Sequence, residues 1–155
     1  MYRIVRESLD RQAKGLSLLG NLLEEEYDLL RARDSGKVAS LEFSIQELIR
    51  QMAREKSLVK RTLGGARVMV YAETLPEDQK KDIGELFDAV DRREQRASRS
   101  ASRNAQLSLA LLDQSTRNLQ ALTGMATPKK DNTYSRRGGM RRPPQIDAAL
   151  ITGRL

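Results

Sequence analysis

Leucine returns at every seventh position through Leu9, Leu16, Leu23 and Leu30, with Ala13, Leu19 and Tyr27 filling neighbouring positions. That spacing draws one apolar stripe along a helix, so it predicts an amphipathic helix over about residues 3–33. Such a stripe must be covered by another surface, and helix-on-helix packing is therefore the first constraint on the fold.

The stretch "RARDSGKV" breaks the pattern. Arg31 and Arg33 suit the negative end of a helix dipole, and Asp34 is placed to cap a following helix through a backbone amide. So tight a break predicts two neighbouring, antiparallel helices. The second, over about 35–63, repeats the stripe with Val38, Leu41, Ile45, Leu48, Met52 and Val59, and "LGG" at 63–65 stops it. The β-branched stretch "ARVMVYAETL" reads as a connector, either extended or a frayed helical turn. In "TLPEDQKKDIGELFDAV", Pro76 fits a first helical turn and Glu77 and Asp78 complement its positive end. One register then runs through Ile83, Leu86, Phe87, Val90, Ala97, Ala101, Asn104, Ala105, Ser108, Leu111, Leu112, Leu119 and Leu122. A single helix over 77–122 follows despite Gly84, roughly 60 Å long, with Gly124 ending it. The expected fold is all-α: an antiparallel three-helix bundle or coiled coil over residues 1–123, then a flexible basic tail over 124–155. A short amphipathic piece from Ile146 to Leu155 could add a helical turn or two on a partner.

Composition agrees with that class. Aromatics are 4% and prolines four, which argues against a β-sandwich or barrel, whereas 32% charged residues suits long solvent-laced helices. The net charge of +7 is unevenly placed: from residue 124 onward seven Lys/Arg face two Asp, a net +5, leaving +2 for the first 123 residues. A nearly balanced body with a basic tail is expected not to bind nucleic acid through its fold. No apolar run is long enough to span a bilayer, and charges interrupt the N-terminal stretch, so neither membrane insertion nor a cleaved leader is expected, and the expected location is cytoplasmic.

Catalysis is not expected. The chain has neither histidine nor cysteine, which removes the commonest general base and most transition-metal ligands; no metal or cofactor is foreseen. The "EEE" run at 24–26 reads as a solvated polar face, and the glycine pairs at 64–65 and 138–139 lack the flanking strand and helix of a phosphate loop. Asn104, among small residues in "RASRSASRNAQ", is expected to make a cross-helix hydrogen bond.

Two features remain. In "QLSLALLDQSTRNLQAL", the leucines at 107, 109, 111, 112, 119 and 122 cover an arc of roughly 200°, about twice what one packing surface needs. The third helix is also longer than the other two, so its last ten or so residues should overhang the bundle. That surplus can receive a partner helix, a second copy of the chain as a homodimer, or ordinary core packing by the connector. Secondly, Tyr134 in "NTYSRRGGMRRPP" sits where no core can bury it, so it is either a linear-motif anchor steered by Arg136 and Arg137 or a chance tyrosine in a linker. Two other readings compete: a coiled coil whose basic tail binds nucleic acid or an anionic surface, and a purely structural oligomer.

The order of these segments is similar to a known family. "LLEEEYDLLRARDSGKVASLEFSIQELIRQMAREKSLV" resembles the N-terminal hairpin of the FlgN-type flagellar export chaperones, "RNAQLSLALLDQSTRNLQALTG" resembles their long last helix, and "NTYSRRGGM" their "Y…G" tail element. The resemblance implies a non-enzymatic type III export chaperone. Such a protein grips the helical ends of hook–filament junction proteins and carries them to the cytoplasmic domain of the export gate. Carried over, the cargo grip falls on Leu107, Leu111, Leu112, Leu119 and Leu122, and gate docking on Tyr134 with Arg136 and Arg137.

Overall fold

The computed structural model describes residues 1–126, all helices and turns. Helix α1 spans Tyr2–Ala32, α2 Ser35–Thr62, α3 Val68–Ala72 and α4 Glu77–Ala126. The chain divides into two compact units, Met1–Asn118 and Leu119–Leu155. The first holds the three long helices' packing; of the second, residues 119–126 are the closing turns of α4.

In α1 the seven-residue stripe is buried from Val5 through Leu9, Leu16, Leu23 and Leu30, with Leu19 beside it. The helix stops because Arg33 turns left-handed (φ 58°), letting its amide donate to the Leu30 carbonyl and the Asp34 amide to that of Leu29. Asp34 then caps α2, its carboxylate accepting from the Lys37 amide at 3.1 Å. The chain reverses there, and α2 packs antiparallel to α1. The Ser8 hydroxyl donates to the Glu55 carboxylate at 2.6 Å, and Arg11 grips both oxygens of the same carboxylate at 2.8 and 3.0 Å. Arg11 holds the Glu55 carboxyl below the ordinary carboxylate range.

Gly64 and Gly65 end α2 with φ of 59° and 88°, a left-handed pair that side chains resist. The connector is neither extended nor frayed throughout: Val68–Ala72 forms a short helix whose Ala72 is fully buried, with Val68, Tyr71 and Leu75 packed on the core. It sits beside Leu9, Val59, Phe87 and Val90, far along α4 from the leucine-rich stretch.

Helix α4 runs parallel to α1, as an up-down-up path requires. Asp82 accepts from the Tyr2 hydroxyl and the Arg6 guanidinium, each at 2.6 Å. Further on, Arg93 donates to the Ala13 carbonyl and Asn104 to the Leu23 carbonyl, and near the end of α1 Arg33 donates to Gln114. The buried line of α4 is Ile83, Val90, Ala97 and Asn104, each seven apart, with Ile83 fully enclosed. Glycine at 84 does not interrupt the helix.

Candidate helix-docking surfaces

The line that buries Ile83, Val90, Ala97 and Asn104 continues to Leu111 and then meets Asn118, so it passes the other leucines by. At 100° per residue, Leu112 lies one step round the helix from that line and Leu109 two. In the first unit Leu107 and Leu111 are accordingly half-buried, while Leu109 and Leu112 are 66% and 63% exposed. In the second, Leu119 and Leu122 are 63% and 66% exposed. Thr116 and Thr123 turn their hydroxyls back onto carbonyls of their own helix, Thr116 onto Leu112 and Thr123 onto Leu119. Tyr134, Arg136 and Arg137 lie outside the described residues, as does the expected Ile146–Leu155 piece.

The small-residue segment of α4 is arranged differently from the sequence expectation. Ala97 and Asn104 are buried, but Ala101, Ala105 and Ser108 are exposed. Over this segment α4 leans on α1 and stands away from α2, so its small residues wall a groove instead of a core. The groove has a volume of about 560 Å³. Leu16, Leu19 and Leu23 form its floor, Ile45, Ile49 and Met52 one wall, and Ala97, Ala101 and Ala105 the other. Lys56 of α2 pairs with Glu94 of α4 at the end nearer α3.

At the other end stand Glu26 and Glu42. The "EEE" run is not a uniform solvated face: Glu24 and Glu25 are exposed, but Glu26 is only 8% exposed. Its position explains this, since it falls seven residues after Leu19 and three after Leu23, on the buried stripe itself. Asn104 donates from one amide group to the Leu23 carbonyl at 2.6 Å and to the Glu26 carboxylate at 2.7 Å, which is the cross-helix bond expected of it. Burial, followed by the hydrogen-bonded Glu42 carboxyl, pushes Glu26 above the ordinary carboxylate range, and the Asn104 bond opposes this. Beside them, Arg103 lies over the Tyr27 ring at 3.8 Å and pairs with Glu24 at 3.0 Å, fixing the outer edge of the α1–α4 seam.

Among the described residues no group of three or more Asp or Glu could hold a metal ion, and no helix is long and apolar enough to cross a membrane. What the geometry offers is apolar helical surface: a ridge on α4 and a groove between α2 and α4. A family model described as FlgN protein matches residues 1–142. No match was found among curated proteins or among solved structures.

Proposed function

The chain belongs to the FlgN family, whose members are flagellar export chaperones, and on that premise we propose that it holds hook–filament junction proteins by their helical ends and delivers them to the flagellar export gate. The observation that carries this reading is the apolar surface of α4 left open at Leu109, Leu112, Leu119 and Leu122. Together with the half-buried Leu107 and Leu111 it offers anchors at helical spacing for an amphipathic partner helix. Capture of such a helix shields it from self-association, and the modest affinity of a solvent-edged ridge lets the gate strip it away. Tyr134, with Arg136 and Arg137 to steer encounter, is the gate-docking element on this reading. The family is not enzymatic, and catalysis forms no part of the proposal.

Two variants test the ridge. Leu112→Asp and Leu119→Asp each place a charge in the middle of the anchors and should abolish co-purification of junction proteins with the full chain. Binding that survives both would rule the ridge out as the grip. Tyr134→Ala should leave cargo binding intact and weaken recruitment to the gate's cytoplasmic domain. Loss of both activities together would contradict a division of labour between ridge and tail.

A further inference from the structure

The groove between α2 and α4 is not used by the ridge. Its floor and walls are apolar, but its two ends are electrically unlike. At the α3 end Lys56 and Glu94 neutralise each other. At the far end Glu26, 8% exposed, and Glu42 line the groove together, and neither belongs to an ion pair among the described residues. Two carboxyls held together at the edge of an apolar trough repel when both ionise, and a buried carboxylate lacking a cation is costly. Asn104 supplies one hydrogen bond to Glu26 but no charge.

A trough walled by two helices and floored by a third has the shape that takes one face of another helix. Its lining supplies the specificity. Ala101 and Ala105 let a guest backbone approach closely, while Ile49 (45% exposed) and Met52 offer side chains to pack against. The charge at the far end selects a guest with a cation at that level. We propose that this groove is a second docking surface, which receives an amphipathic partner helix carrying one lysine or arginine on its apolar face, with that cation inserted between Glu26 and Glu42. The source of that helix rests on the chaperone reading, on which it belongs to the exported cargo; the chemistry of the groove does not.

The test uses the full chain and three labelled synthetic peptides of about 18 residues, long enough to sample helix. All share one leucine/alanine face, and at its centre one carries lysine, one norleucine and one glutamate. Fluorescence anisotropy should show the lysine peptide binding about tenfold tighter than the norleucine twin, the ratio expected of one charge-assisted contact. The glutamate peptide should bind most weakly. Glu42→Gln should shrink the lysine–norleucine ratio towards one. Ala105→Glu and, independently, Ile49→Asp should weaken the lysine and norleucine peptides about tenfold or more; both sites are solvent-exposed, and thermal melts check that each variant folds. Equal affinity for the three peptides, or a lysine preference untouched by Glu42→Gln, overturns the proposal. So does a dimer in sedimentation equilibrium that Ile49→Asp dissociates, since that gives the groove to a second copy. The two surfaces also separate cleanly. If Leu112→Asp abolishes peptide binding while the groove variants do not, the groove inference fails and the ridge reading stands. If cargo binding survives the ridge variants but not the groove variants, the ridge reading fails instead.

Discussion

The two halves of α4 within the first unit both carry apolar residues and bury them very differently. Ile83 and Val90 are enclosed, whereas Leu109 and Leu112 stand more than half exposed. The difference does not come from hydrophobicity, since leucine is at least as apolar as valine. It comes from where each residue points and what lies opposite it, since Leu109 and Leu112 sit off the line that Ile83 and Val90 share. Ile83 and Val90 meet the start of α1, the end of α2 and the short helix α3. Contacts from α1 end with Arg33 and Gln114, α2 stands off from α4 beside Ala101 and Ala105, and α3 is elsewhere. Apolar spacing therefore identifies a face that seeks cover, and the lengths and tilts of the neighbours decide whether it is covered from within.

That contrast can be broken most severely at its buried end. Ile83→Ala should lose about 2–5 kcal/mol of unfolding free energy in urea titrations, while Leu112→Ala should stay within about 0.5 kcal/mol of the parent. Similar losses at both sites would mean that the two halves are not physically distinct. Next in size is the junction between them. Asn104→Leu takes the cross-helix donor away from the buried Glu26 carboxyl, and should cost about 1–3 kcal/mol by the same measurement.

Glu26 sharpens the comparison through pH. Its folded pKa is raised, so the native protein still holds this proton where the unfolded chain has released it. Stability owed to Glu26 is therefore greatest below the unfolded carboxyl pKa of about 4.3 and declines as pH rises through the folded value. Glu26→Gln keeps an acceptor for Asn104 and should raise the melting temperature at pH 7, with the gain vanishing near pH 4. Asp82 and Glu55 behave oppositely. Their pKa values are lowered, by the Tyr2 hydrogen bond and by Arg11 respectively, so their contribution is present above the unfolded range and lost as pH falls through the folded values. A modest effect is expected at Gly84, where an added Cβ meets nothing: Gly84→Ala should stabilise by about 0.5–1 kcal/mol. The same change at Gly65, where φ is 88°, should destabilise by about 1–2 kcal/mol.

Much of the fold was legible because local signals agreed with one another. The Leu9–Leu30 repeat, the Asp34 cap and the glycine pair at 64–65 each mark a boundary or a face that α1 and α2 realise within a residue or two. The Val68–Ala72 helix was ambiguous because five residues carry too little periodicity to separate a helical turn from an extended stretch. The groove was hidden for a different reason. Ala101, Ala105 and Ser108 share the side of α4 that holds Ala97 and Asn104, and no local rule says that α2 stands away from them. Glu26 was readable in principle, since counting sevens from Gln12 through Leu19 reaches it, but its two acidic neighbours disguised a buried position as part of a solvated run. The ridge leucines could be picked out as surplus apolar surface, but sequence could not say which of them the bundle would half-cover: Leu111 continues the buried line and Leu107 lies beside it, whereas Leu109 and Leu112 are off it.

Hydrogen exchange on the full chain, with and without a hook–filament junction protein, tests the central claim most directly. Cargo seated on the ridge should slow amide exchange about tenfold or more across residues 107–122 and leave the segment around Ile83 unchanged. Unaltered exchange across 107–122, under conditions where the complex demonstrably forms, would contradict it.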